Sequence, residues 1–179
     1  VTNNLAQVMD ASGSPEGALP LFEQALDTVV ECRGECSADA VECMRNLGLS
    51  LHNSGKFDEA EPVLLRLLKA QEQLLGDKHV GLIQTLEILG QQLMLQQRFE
   101  DSDEMYKRSL AIVQHTHGLY HEDIPARYDN LGELYFRRGR EYWKEAEDLF
   151  RSSLSVQEKV HEKWRKNRLA GGVQTADEL

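Results

Sequence analysis

One spacing governs this sequence. Leu5, Leu47, Leu89 and Leu131 stand 42 residues apart, and each is followed by a small residue, Ala6, Gly48, Gly90 or Gly132. Ala18, Ala60, Ser102 and Ala146 form a second column, Phe22, Leu64, Tyr106 and Phe150 a third, and Leu26, Leu68, Leu110 and Leu154 a fourth. Gly34, Gly76 and Gly118 keep the same period. In the last copy the second to fourth columns arrive two residues late, which a two-residue insertion around Glu141–Lys144 explains. A fixed period of this length marks stacked supersecondary units, none of which can bury its apolar face alone.

Each copy reads as two helices. The first carries the Leu-small pair and an apolar residue four positions past the Leu (Met9, Leu51, Leu93 or Tyr135), a spacing that lines one helical face. Breaks follow at 12–15, 53–56, 96–98 and 137–140, and Ser14 before Pro15 has the order of an N-cap with Pro at the first helical position. The second helix holds the Ala, aromatic and Leu columns, and a small residue opposite a large one lets neighbouring helices approach closely. The glycine of the fifth column then ends it. Pro62 and Pro125 lie early enough in their helices to be tolerated.

This pattern resembles tetratricopeptide repeats. Their usual length is about 34 residues, and the longer period is similar to that of kinesin light chain repeats. The matching pieces are NNLA (3–6), RNLG (45–48), GKFDEAEPVLLRLLKAQEQLLGDKH (55–79), RFEDSDEMYKRSLAIVQ (98–114), DNLGELYFRRGR (129–140) and KEAEDLFRSSLSVQEK (144–159), so the likeness spans residues 2–164. It implies an all-α fold, a right-handed α-solenoid of four such helix pairs over residues 1–166. The repeats are 1–37, 38–79, 80–121 and 122–166, and a flexible tail takes 167–179.

The resemblance also implies a role and a surface. First helices line the concave side of such a stack, which takes up peptides or helices of partner proteins. In the family that side is read from positions around the Leu-small pair, where Asn offers both a donor and an acceptor to a ligand backbone. Those positions hold Asn4, Arg45, Asn46, Glu87, Gln91, Asp129, Asn130 and Glu133. Glu87, Asp129 and Glu133 turn the groove acidic toward its C-terminal half, which predicts a basic or mixed, partly apolar ligand. The expected function is a non-catalytic scaffold or adaptor. The rival reading is a structural accessory subunit of a large assembly, such as one inside an organelle, held through its ends and loops.

The ends bear on that rival. The last helix carries more apolar residues than one face needs, and Phe150, Leu154, Val160 and Trp164 form a candidate end interface. The basic run Lys159–Arg168 suits a helix C-terminus. The first residue is Val rather than Met, consistent with a processed product, a trimmed chain or part of something longer.

Composition excludes several classes. The net charge of −10 lacks the basic footprint of nucleic-acid binding. No apolar run approaches the ~18 residues of a membrane span. Cys32, Cys36 and Cys43 are too few and too uneven for a disulfide framework. They read as buried free thiols in a reducing, intracellular compartment, the cytoplasm first and an organelle interior after presequence removal second. No phosphate loop, zinc-protease helix or nucleophile elbow occurs, so neither catalytic residues nor a cofactor are expected. His115, His117 and His121, with Glu122 and Asp123, do not have the spacing of two ligands on one helical face. His121 aligns with His79, and both read as structural turn residues rather than metal ligands. The terminal Ala-Asp-Glu-Leu resembles a variant ER-retention tail, with no signal peptide to support it.

Overall fold

The computed structural model describes residues 1–173, with side chains through Arg168; the Ala-Asp-Glu-Leu segment at 176–179 lies outside the described residues. Among those residues the structure is all-α. Helix pairs follow one another: α1 (Thr2–Ala11) and α2 (Pro15–Arg33), then α3 (Ala38–Asn53) and α4 (Phe57–Leu75). A 3-10 turn, Val80–Leu82, leads into α5 (Ile83–Leu95), which pairs with α6 (Phe99–His117) in the order of the chain. Last come α7 (Ile124–Arg138), a 3-10 turn at Arg140–Tyr142, and α8 (Trp143–Val173). That turn takes up the insertion, so α8 starts two residues later in its copy than α2, α4 and α6 do in theirs. The chain divides into two compact units, Val1–Met105 and Tyr106 onward, with the boundary inside α6.

In the first unit α1 lies against α2 and α3, α2 against α3, α3 against α4 and α5, and α4 against α5. The repeat columns supply its core. Ala18, Phe22 and Leu26 of α2, Leu47 of α3, Ala60, Leu64 and Leu68 of α4 and Leu89 of α5 are all buried. Each Leu or Phe so placed contributes about 1.5–3 kcal/mol of transfer free energy. The small column sets the helix spacing. A Cβ on Gly48 would stand 2.7 Å from Leu64 Cδ2, and Ser102 Oγ donates to the Gly90 carbonyl at 2.7 Å. Buried amides tie helices together elsewhere. Gln71 Nε2 donates to Gly81 O at 3.0 Å while its Oε1 accepts from Thr85 Oγ1 at 2.8 Å. Gln92 Nε2 donates to Phe57 O at 2.8 Å.

In the second unit α7 packs on α8. Ile124, Leu131, Leu134, Ala146 and Val156 are buried, as are Tyr106, Ile112 and Val113 of α6. The small-large rule recurs, since a Cβ on Gly132 would stand 2.7 Å from Phe150 Cε1.

The turns repeat as faithfully as the core. Gly34, Gly76 and Gly118 have φ of +82°, +90° and +85°, a region where glycine is at no steric disadvantage. Three residues after each glycine stands an acceptor: Ser37 Oγ takes the Ala40 N–H, His79 Nδ1 the Gly81 N–H, and His121 Nδ1 the Asp123 N–H. Ser14, by contrast, holds the N-cap position of α2 without a side-chain cap bond.

Helix α8 departs from its equivalents. It runs 31 residues, where α2, α4 and α6 each run 19. Allowing for the insertion, the helix-ending glycine should fall at 162, and Glu162 stands there. With no residue favouring the left-handed turn, the helix continues to Val173. The basic run Lys159–Arg168 therefore lies inside α8, not at its C-terminus as the sequence suggested. The helix also continues past residue 167, where the expected tail begins.

Two further expectations change. Leu5 is 52% exposed although its column partners are buried, because α1 packs on α2 and α3 whereas α3 is held by α1, α2, α4 and α5. Of the three cysteines only Cys43 is buried; Cys32 and Cys36 are exposed, one on the last turn of α2 and one in the turn after it. Both positions fall where α2 ends, off its buried face, whereas Cys43 lies on the face of α3 that packs inward. Burial, and then the nearby Glu42 and Asp39 carboxylates, push the Cys43 thiol above its ordinary range. A thiol reagent at neutral pH should label Cys32 and Cys36 in the folded chain and reach Cys43 only after denaturant is added. Peptide mass mapping reads this directly, and rapid labelling of Cys43 would refute the α2–α3 packing.

Candidate partner-binding surfaces

The residues expected to face a ligand sit on first helices in both units. In the first unit Asn4 on α1 and Gln91 on α5 are exposed, while Arg45 and Asn46 on α3 and Glu87 on α5 are half-buried. Helical geometry makes the difference: Leu89 and Gly90 turn into the core, and Gln91 turns out. Part of the polar capacity is already engaged. Asn46 Nδ2 donates to Asn3 Oδ1 at 3.2 Å, and one turn on, Ser50 Oγ donates to Asp10 Oδ1 at 2.8 Å, so both bonds join α3 to α1. Asn4 also lines a cleft of about 460 Å³ between these helices, with Arg33 and Asp39 on its walls.

In the second unit Asp129, Asn130 and Glu133 are half-buried on α7. Glu133 is paired with Arg137 at 2.5 Å, one turn further along the helix. Its contribution to an acidic groove is therefore partly cancelled by its own neighbour.

Sequence reasoning missed an aromatic and cationic cluster around the insertion. Tyr135 stacks with Tyr142 at 6.1 Å between ring centroids, and Phe136 with Trp143 at 5.8 Å. Arg138 lies over Tyr142 at 4.2 Å and Arg140 over Trp143 at 5.5 Å, contacts worth about 0.5–1 kcal/mol each at exposed sites. The available signal was the seven-residue separation of two aromatic pairs across Arg137-Arg138-Gly139-Arg140. Treating the insertion as a gap in the repeat hid it.

Of the candidate end interface, Leu154 and Trp164 are well exposed, at 59% and 68%, Phe150 is 37% exposed, and Val160 is half-buried.

The histidine turn brings together what the spacing argument kept apart. His117 closes α6, and the turn folds His121 back onto it, ring on ring at 4.3 Å between centroids. Asp123 joins them, with one possible ligand atom of each residue within 4.8 Å of the others. His117 and His121 are in fact four residues apart, and their approach depends on the chain turning at Gly118 rather than on one continuous helix. The bonding nevertheless gives His121 its turn role. The Nδ1 lone pair near Asp123 accepts that residue's own N–H at 3.3 Å, as His79 does for Gly81 one repeat earlier.

Among the described residues no helix is long and apolar enough to cross a membrane. One tetratricopeptide-repeat family model matches residues 41–81 and a second matches 82–159. No curated protein sequence matches the chain. Among solved structures, BtubC (BKLC) from P. vanneervenii is similar with a TM-score of 0.80 and 22% identity over 89% of this chain. The chain spans only 63% of that protein's length. A putative kinesin light chain of Podosopora anserina, with nearly identical TPR-like repeats, is similar with a TM-score of 0.75 and 20% identity, covering 99% of this chain and 89% of its own. A single-substitution variant of the same protein gives a TM-score of 0.76, at 20% identity and with 99% and 88% covered. The helix pairs, their common turn chemistry and these matches agree on one assignment: the chain belongs to the tetratricopeptide-repeat proteins, and it shares its fold with solved structures that include a putative kinesin light chain.

Proposed function

We propose that the chain is a non-catalytic scaffold whose first-helix faces bind a peptide or helix of a partner protein. Repeats of this kind serve protein–protein interaction in general. The observation that carries the finer reading is the division of labour along each first helix. Core columns such as Leu89-Gly90 and Leu131-Gly132 are buried, while Gln91, Asn130 and Glu133 beside them keep exposed or half-buried polar groups. Within each unit the first helices thus present amides and carboxylates beside a buried core column, suited to an extended or helical ligand. Glu87 and Asp129 favour a basic or mixed one.

The test is affinity of a captured partner for three variants. Asn46→Ala/Asn130→Ala should lower it by about thirtyfold, since each of the two hydrogen bonds lost on binding is worth about 1 kcal/mol. Asn3→Ala breaks the same α1–α3 bond as Asn46→Ala and should leave affinity intact. Equal loss in Asn3→Ala, or loss that appears only with unfolding by circular dichroism, would sink the groove reading.

The exposed apolar residues favour a second reading, an accessory subunit held through its ends. Leu5 and Val8 on α1 and Leu154 and Trp164 on α8 are all more than half exposed. That reading predicts a native complex that survives the groove substitutions and is lost on Leu154→Glu.

A further inference from the structure

We propose that the C-terminal half of α8 and the turn leading into α7 form a second docking site, which takes an acidic segment of a partner protein anchored by an apolar side chain. The site exists because Glu162 replaces the helix-ending glycine and lets α8 run on past the turn. A cleft of about 580 Å³ lies there, lined by Glu122, Pro125, Val160, Trp164, Arg165 and Arg168 among others. Trp164 also lines a smaller hollow of about 200 Å³ with Tyr120 and Lys163, which shares Glu122 and Val160 with the cleft. Lys159 reaches Tyr120 of that hollow, its Nζ 4.4 Å from the ring centroid and 3.3 Å from the hydroxyl.

Charge selects the occupant. Residues 159–168 hold five basic side chains against the single acidic Glu162, in a chain whose net charge is −10. Glu162 is itself paired with Lys166 at 2.7 Å, which leaves Arg165 and Arg168 facing the cleft. Arginine forks bind carboxylates with two parallel hydrogen bonds, and Trp164 with Val160 and Pro125 offers apolar walls to one inserted side chain. Two other occupants fit less well. A second copy of the chain would bring another ten negative charges, and long-range repulsion opposes that encounter. An anionic lipid surface is flat, whereas this site is concave and receives a protruding group.

The experiment selects a display library of random short peptides on the full chain, with the same library on Arg165→Glu/Arg168→Glu in parallel. Peptides enriched on the wild type should place Asp or Glu on both sides of an aromatic or branched aliphatic residue. Synthesised, they should shift Trp164 emission to the blue in a saturable way when Trp143→Phe leaves Trp164 as the single tryptophan. Arg165→Glu/Arg168→Glu should weaken Kd by at least about tenfold. Glu122→Gln, which removes the negative charge from the cleft wall, should tighten it several-fold. Asn46→Ala/Asn130→Ala should leave it unchanged, which separates this site from the groove. Enrichment of basic or uncharged peptides, enrichment that persists on the charge-reversed chain, or the same emission shift with phosphatidylserine vesicles in place of peptide would each overturn the proposal. So would a concentration-dependent dimer in light scattering that Arg165→Glu/Arg168→Glu abolishes.

Discussion

Leu89→Ala should cost about 3 kcal/mol of stability, while Leu5→Ala costs less than about 0.5, although the two leucines occupy the same position of the repeat. Leu89 is fully buried and Leu5 is 52% exposed. Truncating a buried leucine loses its transfer free energy and leaves a cavity that neighbours fill only in part, and such changes span about 2.7–5 kcal/mol. Truncating a leucine already half in water loses little and opens no cavity. The contrast follows from how the helices are held. Helix α5 lies against α3 and α4, and α1 lies against α2 and α3, but only on α5 is this position enclosed. Urea titration followed by circular dichroism measures both costs. Because repeat proteins can unfold in parts, the Trp fluorescence and circular dichroism midpoints should be compared for each variant. Equal costs at the two positions would mean that the exposed face of α1 is covered in solution.

Much of this was legible from spacing alone. The 42-residue period located the helix pairs and the Gly34, Gly76 and Gly118 turns, and it lined up the columns whose members Gly48 and Leu64, and Gly132 and Phe150, meet in the structure. These are places where one physical demand recurs in every copy, so that four weak local signals add. What escaped was whatever breaks the period. Glu162 at a glycine position changes only one residue, yet it removes the helix stop and α8 grows by more than half the length of its equivalents. Of the aromatic cluster around Trp143 only Tyr135 belongs to a column, and Tyr142 and Trp143 sit in the insertion. Residue type alone puts Cys32 and Cys36 in the core, but exposure is decided by the face on which a residue lands, and neither lies on a buried one. The polar surface was legible only as position. Sequence put Asn46 and Glu133 on the first-helix faces, but not the bond from Asn46 to Asn3 or the pairing of Glu133 with Arg137, because both depend on side-chain rotamers that no spacing encodes.

The small column offers the sharpest test of the packing. Gly48→Val should destabilise by about 2 kcal/mol, and Gly132→Val by less than about 1. Both replace a helical glycine with the same residue, so the modest gain in helix propensity is common to both. Both place a Cβ 2.7 Å from the nearest side-chain atom, Leu64 Cδ2 in one case and Phe150 Cε1 in the other. The difference lies in whether that neighbour can retreat. Leu64 is fully buried between helices, so relief requires α3 and α4 to separate, and overpacking of this kind costs about 1–3 kcal/mol. Phe150 is 37% exposed and can swing its ring outward, losing some apolar contact but no backbone packing. A double substitution closes the argument. Leu64→Ala alone should be costly, as for any buried leucine, but in the Gly48→Val background it removes the very atoms that clash. Gly48→Val/Leu64→Ala should therefore cost at least about 1 kcal/mol less than the sum of the single variants, the size of coupling expected for residues in contact. Strict additivity would show that the two helices are not held at the distance that the glycine column requires.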